Sequence, residues 1–259
     1  MEWVLIIVSL TVIWVGSLCK TLHVFVSDSK SMFLDDGGFF LKKKILLVIA
    51  HPDDESMFFT PTINYLMSKG HDLRILCIST GNADGLGNTR KQELYRAATT
   101  LNVSPQQVKI LDHPDLEDGF GKFWNTDLLA RLMKEEVDSH SVDVVISFDK
   151  YGVSGHCNHC DLNRGVRKLI QDVSYKNVEA WELVSTNIFR KYIGPVDVWF
   201  SLLYVKFHRN EKVYFLINEN PSRSYAAMAQ HLSQWVWFRK LFVSFSSYTY
   251  GNSLKKINI

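Results

Sequence analysis

The chain has 259 residues, 46% hydrophobic and 22% charged, which is ordinary for a globular protein able to bury a real core. A formal net charge of +2 leaves no electrostatic footprint for nucleic acid. Four cysteines (Cys19, Cys77, Cys157 and Cys160) are too few and too scattered for a disulfide scaffold, and read as thiols in a reducing compartment.

Trp3 to Leu18 carries no charge and is rich in Val, Ile, Leu and Trp. It is shorter than the ~20 residues of a comfortable membrane span and lies between a secretory apolar region and a short anchor in length. Glu2 rather than a basic residue precedes it and no clear cleavage site follows, so an uncleaved transmembrane anchor over residues 1–20 is expected. Lys20, Lys30 and Lys42-Lys43-Lys44 all come after this segment, which puts the bulk of the chain on the cytoplasmic side. Ser27 to Gly38, with its Ser, Asp and Gly, marks a linker over residues 21–42.

Residues 43–259 read as the working domain. Lys44–Ala50 is a continuous apolar strand of the parallel-sheet kind. Glu55–Lys69 has helical spacing and stops at Gly70. A strand over Leu73–Ser79, a glycine-rich loop over Thr80–Asn88 and a helix over Thr89–Leu101 follow. Then come a short strand Val108–Leu111, an amphipathic helix Asn125–Ser139, a strand Val142–Phe148 and a helix Cys160–Val173. Strands alternating with helices imply right-handed βαβ units and a mostly parallel α/β sheet flanked by helices. Beyond Val178 the pattern predicts strands at Glu179–Val184, Val198–Tyr204 and Val213–Ile217, then a helix pair from Ser222 to Ser246.

Chemistry concentrates at two places. His51-Pro52-Asp53-Asp54-Glu55 follows the first strand, where open α/β sheets bind ligands. His156-Cys157-Asn158-His159 follows the fourth. Two His and one Asp from separate loops make a three-ligand metal site with an open fourth position, and a second Asp beside the ligand is free to act as general base. Zinc and ferrous iron both suit such donors. Spacing alone does not say which histidine of the second pair is the ligand. Glu55 fits a dipole-favoured position at a helix N-terminus. Cys157 and Cys160 lack a second pair to close a structural zinc site and read as packing residues. His113-Pro114-Asp115 reads as a loop lining the cleft, and Arg90 as a candidate substrate-binding residue. The aromatic-basic stretch His231–Phe242 suits either a helix covering the sheet or a surface at a membrane interface.

Ala50-His51-Pro52-Asp53-Asp54-Glu55, Thr80-Gly81-Asn82 and Arg90-Lys91-Gln92-Glu93-Leu94 together resemble the LmbE-like zinc de-N-acetylases. Phe148-Asp149, Gly152 through His159, and His231, Gln234 and Trp237-Phe238-Arg239 narrow the likeness to their eukaryotic branch, which acts on N-acetylglucosaminyl-phosphatidylinositol in GPI-anchor synthesis. The resemblance runs from about Lys44 to Leu254. It implies a Rossmann-like fold, His51, Asp54 and His159 as zinc ligands, Asp53 as general base and His156 facing the oxyanion. It further implies a glycolipid substrate and a catalytic domain on the cytosolic face of the endoplasmic reticulum membrane. A deacetylase of another N-acetylglucosaminyl conjugate and an inactive membrane-tethered binding protein are the competing readings.

Overall fold

The computed structural model describes residues 2–23, 33–34, 41–172, 175, 177–208 and 211–258, so most of the linker expected over 21–42 lies outside the described residues. Seven strands form one sheet: β1 Lys44–Ile49, β2 Asp72–Cys77, β3 Val108–Ile110, β4 Val144–Phe148, β5 Glu179–Leu183, β6 Val213–Ile217 and β7 Gly251–Lys256. Their order is β3-β2-β1-β4-β5-β7-β6. The first five are parallel, while β7 runs antiparallel between β5 and β6. Ile45 to Ile49 are fully or almost fully buried, as an apolar strand covered on both faces must be.

The order runs outward from β1 in one direction and from β4 in the other, so the sheet switches between these two strands. A crevice opens at such a switch, beyond the carboxyl ends of the strands. The register pairs Ile45 with Val144 and Leu47 with Ile146, which levels the two strand ends. The loops carrying His51 and His159 therefore emerge side by side.

Two expectations about these elements need correction, and one strand was not foreseen. The predicted helix Glu55–Lys69 is two helices, Asp54–Met57 and Thr60–Ser68, with Pro61 in the opening turn of the second. Pro has no N–H to give an earlier carbonyl, so it starts a helix rather than continuing one. Gly70 does follow with φ +70°, as a C′ glycine should. The predicted strand Val198–Tyr204 is instead a helix, Asp197–Phe207, because a short apolar run fits either structure. Strand β7 was not expected. Its Gly, Asn, Ser and Lys residues carry little strand signal, and pairing on both sides with Leu254 buried creates it. The helix pair expected over 222–246 appears as Pro221–Met228 and Trp237–Phe245.

The N-terminal segment is a helix, Glu2–His23. Trp14 packs against Phe245 and Tyr250, with ring centroids 6.1 and 6.4 Å apart, and Trp199 Nε1 donates to Ser17 Oγ at 3.1 Å. Among the described residues no helix is long and apolar enough to cross a membrane, so the spanning property expected for residues 1–20 is not borne by this helix.

Candidate active site

Ligand atoms of His51, Asp54 and His159 lie within 4.8 Å of one another, and all three residues are buried. Each is held by its other polar atom. His159 Nδ1 donates to the Gly152 carbonyl at 3.1 Å, which leaves the Nε2 lone pair pointing 3.2 Å from Asp54 Oδ1. That buried Nε2 has no hydrogen-bond partner. His51 Nε2 donates towards Asp118 Oδ1 at 3.0 Å and Asn158 Oδ1 at 3.1 Å, turning Nδ1 towards Asp54. Asp54 Oδ2 accepts the backbone N–H groups of Ala50 and His51, both at 2.9 Å. Imidazoles that give one N–H to a carbonyl or carboxylate and aim the other nitrogen at a common point are arranged as metal ligands are. The orphaned Nε2 and the adjoining carboxylate oxygen thus fit a divalent cation.

Burial alone would raise the Asp54 pKa, but facing His159 and His51 hold it far below the usual carboxylate range. Burial would lower that of His51, yet the Asp118 hydrogen bond and the Asp54 charge raise it. Gly152 is required in this arrangement. Its φ is +55°, and a Cβ there would meet His159 Cβ at 2.7 Å.

Asp53 looks the other way. Its φ of 126° lies outside the comfortable region for a residue with a side chain, a strain costing on the order of 1–3 kcal/mol that clusters at functional sites. Its Oδ2 sits 3.2 Å from Arg90 Nη2 and 3.0 Å from Arg239 Nη1. Burial raises its pKa, with the two guanidinium groups pulling against that rise. The backbone N–H of Asp53 donates to Glu55 Oε2 at 3.1 Å, and Glu55 Oε1 accepts from His231 Nε2 at 2.6 Å. Both members of that pair are fully buried.

His156 caps the helix Cys157–Gln171, its Nδ1 accepting the Asn158 N–H at 3.3 Å. The acceptor role puts the ring proton on Nε2, so the imidazole can donate from that atom. Burial and the neighbouring His51 and His159 lower its pKa to about 4, keeping the ring neutral near pH 7. His51, Asp118 and His156 form a second possible donor cluster. His51 Nε2 is already committed to Asp118, and Asp118 also meets Arg90 at 3.4 Å, so the buried Asp54 cluster is the better metal site. A cleft of about 420 Å³ opens beside Asp118, lined by Thr80, Asn82, His113 and Lys122.

All six residues expected at the site are together. His113 and Pro114 line the cleft as expected. The thiols make no disulfide, and Cys157 Sγ rests 3.5 Å from the carbonyls of Gly119 and Lys122. Arg90 differs from expectation. It is 6% exposed and is spent on protein acceptors: the Gly81 carbonyl at 2.8 Å, the Pro52 carbonyl at 2.7 Å and Asp53. It braces the turn rather than offering a free guanidinium to substrate. Glu55 is likewise a buried partner of His231, not simply a charge at a helix start. Asp118, Asn158, Glu55 as a brace and the role of Arg239 were missed. Their signal is contact across more than a hundred residues for Asn158, Glu55 and Arg239, which no local spacing carries.

A mostly parallel α/β sheet with convergent His and Asp side chains at its switch point defines a hydrolase-like site. The family described as "PIG-L: GlcNAc-PI de-N-acetylase" matches residues 46–170. A Dictyostelium discoideum protein named "Probable N-acetylglucosaminyl-phosphatidylinositol de-N-acetylase" is 34% identical over 81% of this chain and 92% of its own length. The Bos taurus N-acetylglucosaminyl-phosphatidylinositol de-N-acetylase is 38% identical over 80% of this chain and 81% of its own. The chain belongs to this de-N-acetylase family. Among solved structures, N,N'-diacetylchitobiose deacetylase from Pyrococcus horikoshii shares the fold, with a TM-score of 0.61, 15% identity and coverage of 93% of this chain and 92% of that one.

Proposed function

We propose that the chain hydrolyses the N-acetyl group of N-acetylglucosaminyl-phosphatidylinositol, giving glucosaminyl-phosphatidylinositol and acetate, the second step of GPI-anchor synthesis. Its relatives carry that name, and the observation that carries the chemistry is the orphaned His159 Nε2 facing Asp54 beside a second carboxylate, Asp53, that stands outside the donor cluster. His51, Asp54 and His159 would hold a divalent ion, zinc or else ferrous iron. Bound there, the ion would act as a Lewis acid on the acetamide carbonyl and make water a stronger acid.

The remaining work falls to the chain. Asp53, whose burial raises its pKa, takes a proton from the attacking water as general base and later delivers it to the departing glucosamine nitrogen. His156, neutral and protonated on Nε2, donates a hydrogen bond to the oxygen that gains charge as water adds to the carbonyl. Arg90 and Arg239 keep Asp53 in place.

The same reading sets the protein at the endoplasmic reticulum membrane with this domain facing the cytosol. The exposed apolar side chains of the N-terminal helix support the membrane, and the unpaired thiols support the cytosolic side. The test is metal analysis on the purified chain together with acetate release from the glycolipid. The wild type should hold one divalent ion and release acetate; His159→Ala should do neither. Full metal occupancy in His159→Ala would sink the ligand assignment, and a metal-loaded wild type that leaves the glycolipid intact would sink the substrate.

A further inference from the structure

Helices Asp197–Phe207 and Trp237–Phe245 repeat one spacing: Trp199, Phe200, Leu203 and Phe207 in the first, and Trp237, Phe238, Leu241 and Phe245 in the second. A Trp-Phe pair followed at the next two turns by Leu and Phe lays one stripe along a helix. Every member of both stripes is exposed, from 42% at Trp199 to 78% at Phe207. The opposite side of the second helix is apolar too, since Phe242 and Val243 are buried in the core. A helix apolar on both its inner and outer faces is not built for water.

The two stripes meet a third apolar element. Trp199 bonds to Ser17 of the N-terminal helix, and Phe245 packs on Trp14 of the same helix, whose outer residues from Trp3 to Val15 are largely exposed. The second stripe also adjoins the site, because Arg239, between Phe238 and Leu241, reaches Asp53 at 3.0 Å. Lys206 and Lys240 interrupt the apolar rows with cations. Trp and Phe with interspersed Lys and Arg, on an amphipathic surface helix, match the boundary between lipid headgroups and acyl chains.

We propose that the two stripes and the outer face of the N-terminal helix form one seat on a phospholipid bilayer, holding Asp53 at the level of the headgroups. The proposal deepens the glycolipid reading and rests on it for the choice of a bilayer as occupant. A substrate anchored by its acyl chains would then present its sugar to the site without leaving the membrane.

The test uses the full chain in phosphatidylcholine vesicles whose acyl chains carry bromine at defined depths, which quenches tryptophan emission on contact. The double variant Trp199→Phe/Trp237→Phe removes the two reporters while keeping the stripes apolar. Wild type should show emission quenched by shallow bromines, and the double variant should lose that component while keeping the component from Trp3 and Trp14. A second variant, Phe200→Ser/Leu241→Ser, should lose shallow quenching of the two retained tryptophans; its circular dichroism serves as the check on folding. Shallow quenching that is the same with and without Trp199 and Trp237 overturns the proposal, as does quenching of the N-terminal tryptophans alone. This readout needs no substrate, so absence of deacetylation with quenching intact would count against the proposed activity and leave the seat standing.

Discussion

The wall of the site that carries the proposed metal donors and the wall that carries the proposed base part company between two adjacent residues, Asp54 and Asp53. Asp54 sits among two imidazoles and two backbone N–H groups, which stabilise its negative form and hold its pKa far down. Asp53 is equally buried but strained, and its pKa is raised despite two guanidinium groups. Neighbouring carboxylates pushed apart in this way fit the division of labour proposed for them, one staying ionised as a ligand and the other exchanging a proton. The chain achieves this by turning Asp53 through a left-handed backbone, so that the two side chains leave the same turn in different directions.

The largest effects should come from crossing that divide. Asp53→Asn is expected to keep the metal and lose roughly 10²–10⁴-fold in kcat, since an amide cannot take the proton. His156→Ala should also keep the metal and lose about 10²-fold in kcat, the usual loss on removing one oxyanion donor. Metal analysis beside steady-state kinetics checks both. If metal disappears with His156 and persists in His159→Ala, the two histidines have been assigned in reverse; if it disappears with Asp53, the division of labour between the carboxylates is wrong.

The gathering of His51, Asp54, His156 and His159 on the proposed metal wall was legible in the sequence because each half is a local motif behind a buried strand. His51 and Asp54 are three residues apart after β1, His156 and His159 three apart after β4, and the sheet's switch point does the rest. The base wall was legible only at Asp53. Its braces come from residues 55, 90, 231 and 239, brought together by packing of the helix Pro221–Met228 and the turn Leu232–Gln234 that follows it. Glu93 fixes that turn by accepting from Ser233 N at 2.7 Å and Ser233 Oγ at 2.6 Å, a contact 140 residues long in sequence. The same distinction governs the fold. The five parallel strands announced themselves as apolar runs, whereas β7 is a strand only because β5 and β6 flank it.

The next prediction concerns stability of the base wall. Removing one partner of the buried Glu55–His231 pair leaves an uncompensated polar group in the core, so His231→Gln should cost about 3 kcal/mol of unfolding free energy. Burial by itself would lower the His231 pKa, but the facing Glu55 carboxylate raises it. A raised folded-state value means that the pair's contribution is complete below the ordinary imidazole pKa of about 6.5 and is lost as pH rises through the folded value. Denaturant unfolding of wild type should therefore show this contribution fading as pH rises above about 6.5, and His231→Gln should flatten that part of the profile. An unchanged slope in the variant would show that the pair does not set the pH response.

The smallest expected effect is none, and it tests which side of the proposed membrane the site faces. The sequence holds the sequon Asn102-Val103-Ser104. Asn102 has φ +64° in the turn that closes the helix Gly87–Thr100 and is exposed, so nothing in the fold shields its side chain from a glycosyltransferase. N-glycans are added only on the lumenal side, which makes an accessible but bare Asn102 a report on topology. With the domain on the cytosolic side, endoglycosidase treatment should leave the protein's mobility unchanged, and Asn102→Gln should migrate as wild type does. Buried Cys77 and the partly covered Cys157 and Cys160 should at the same time remain titratable as thiols after denaturation, as a reducing compartment requires. A glycan on Asn102 would reverse the orientation, and would carry with it the leaflet from which the proposed glycolipid is drawn.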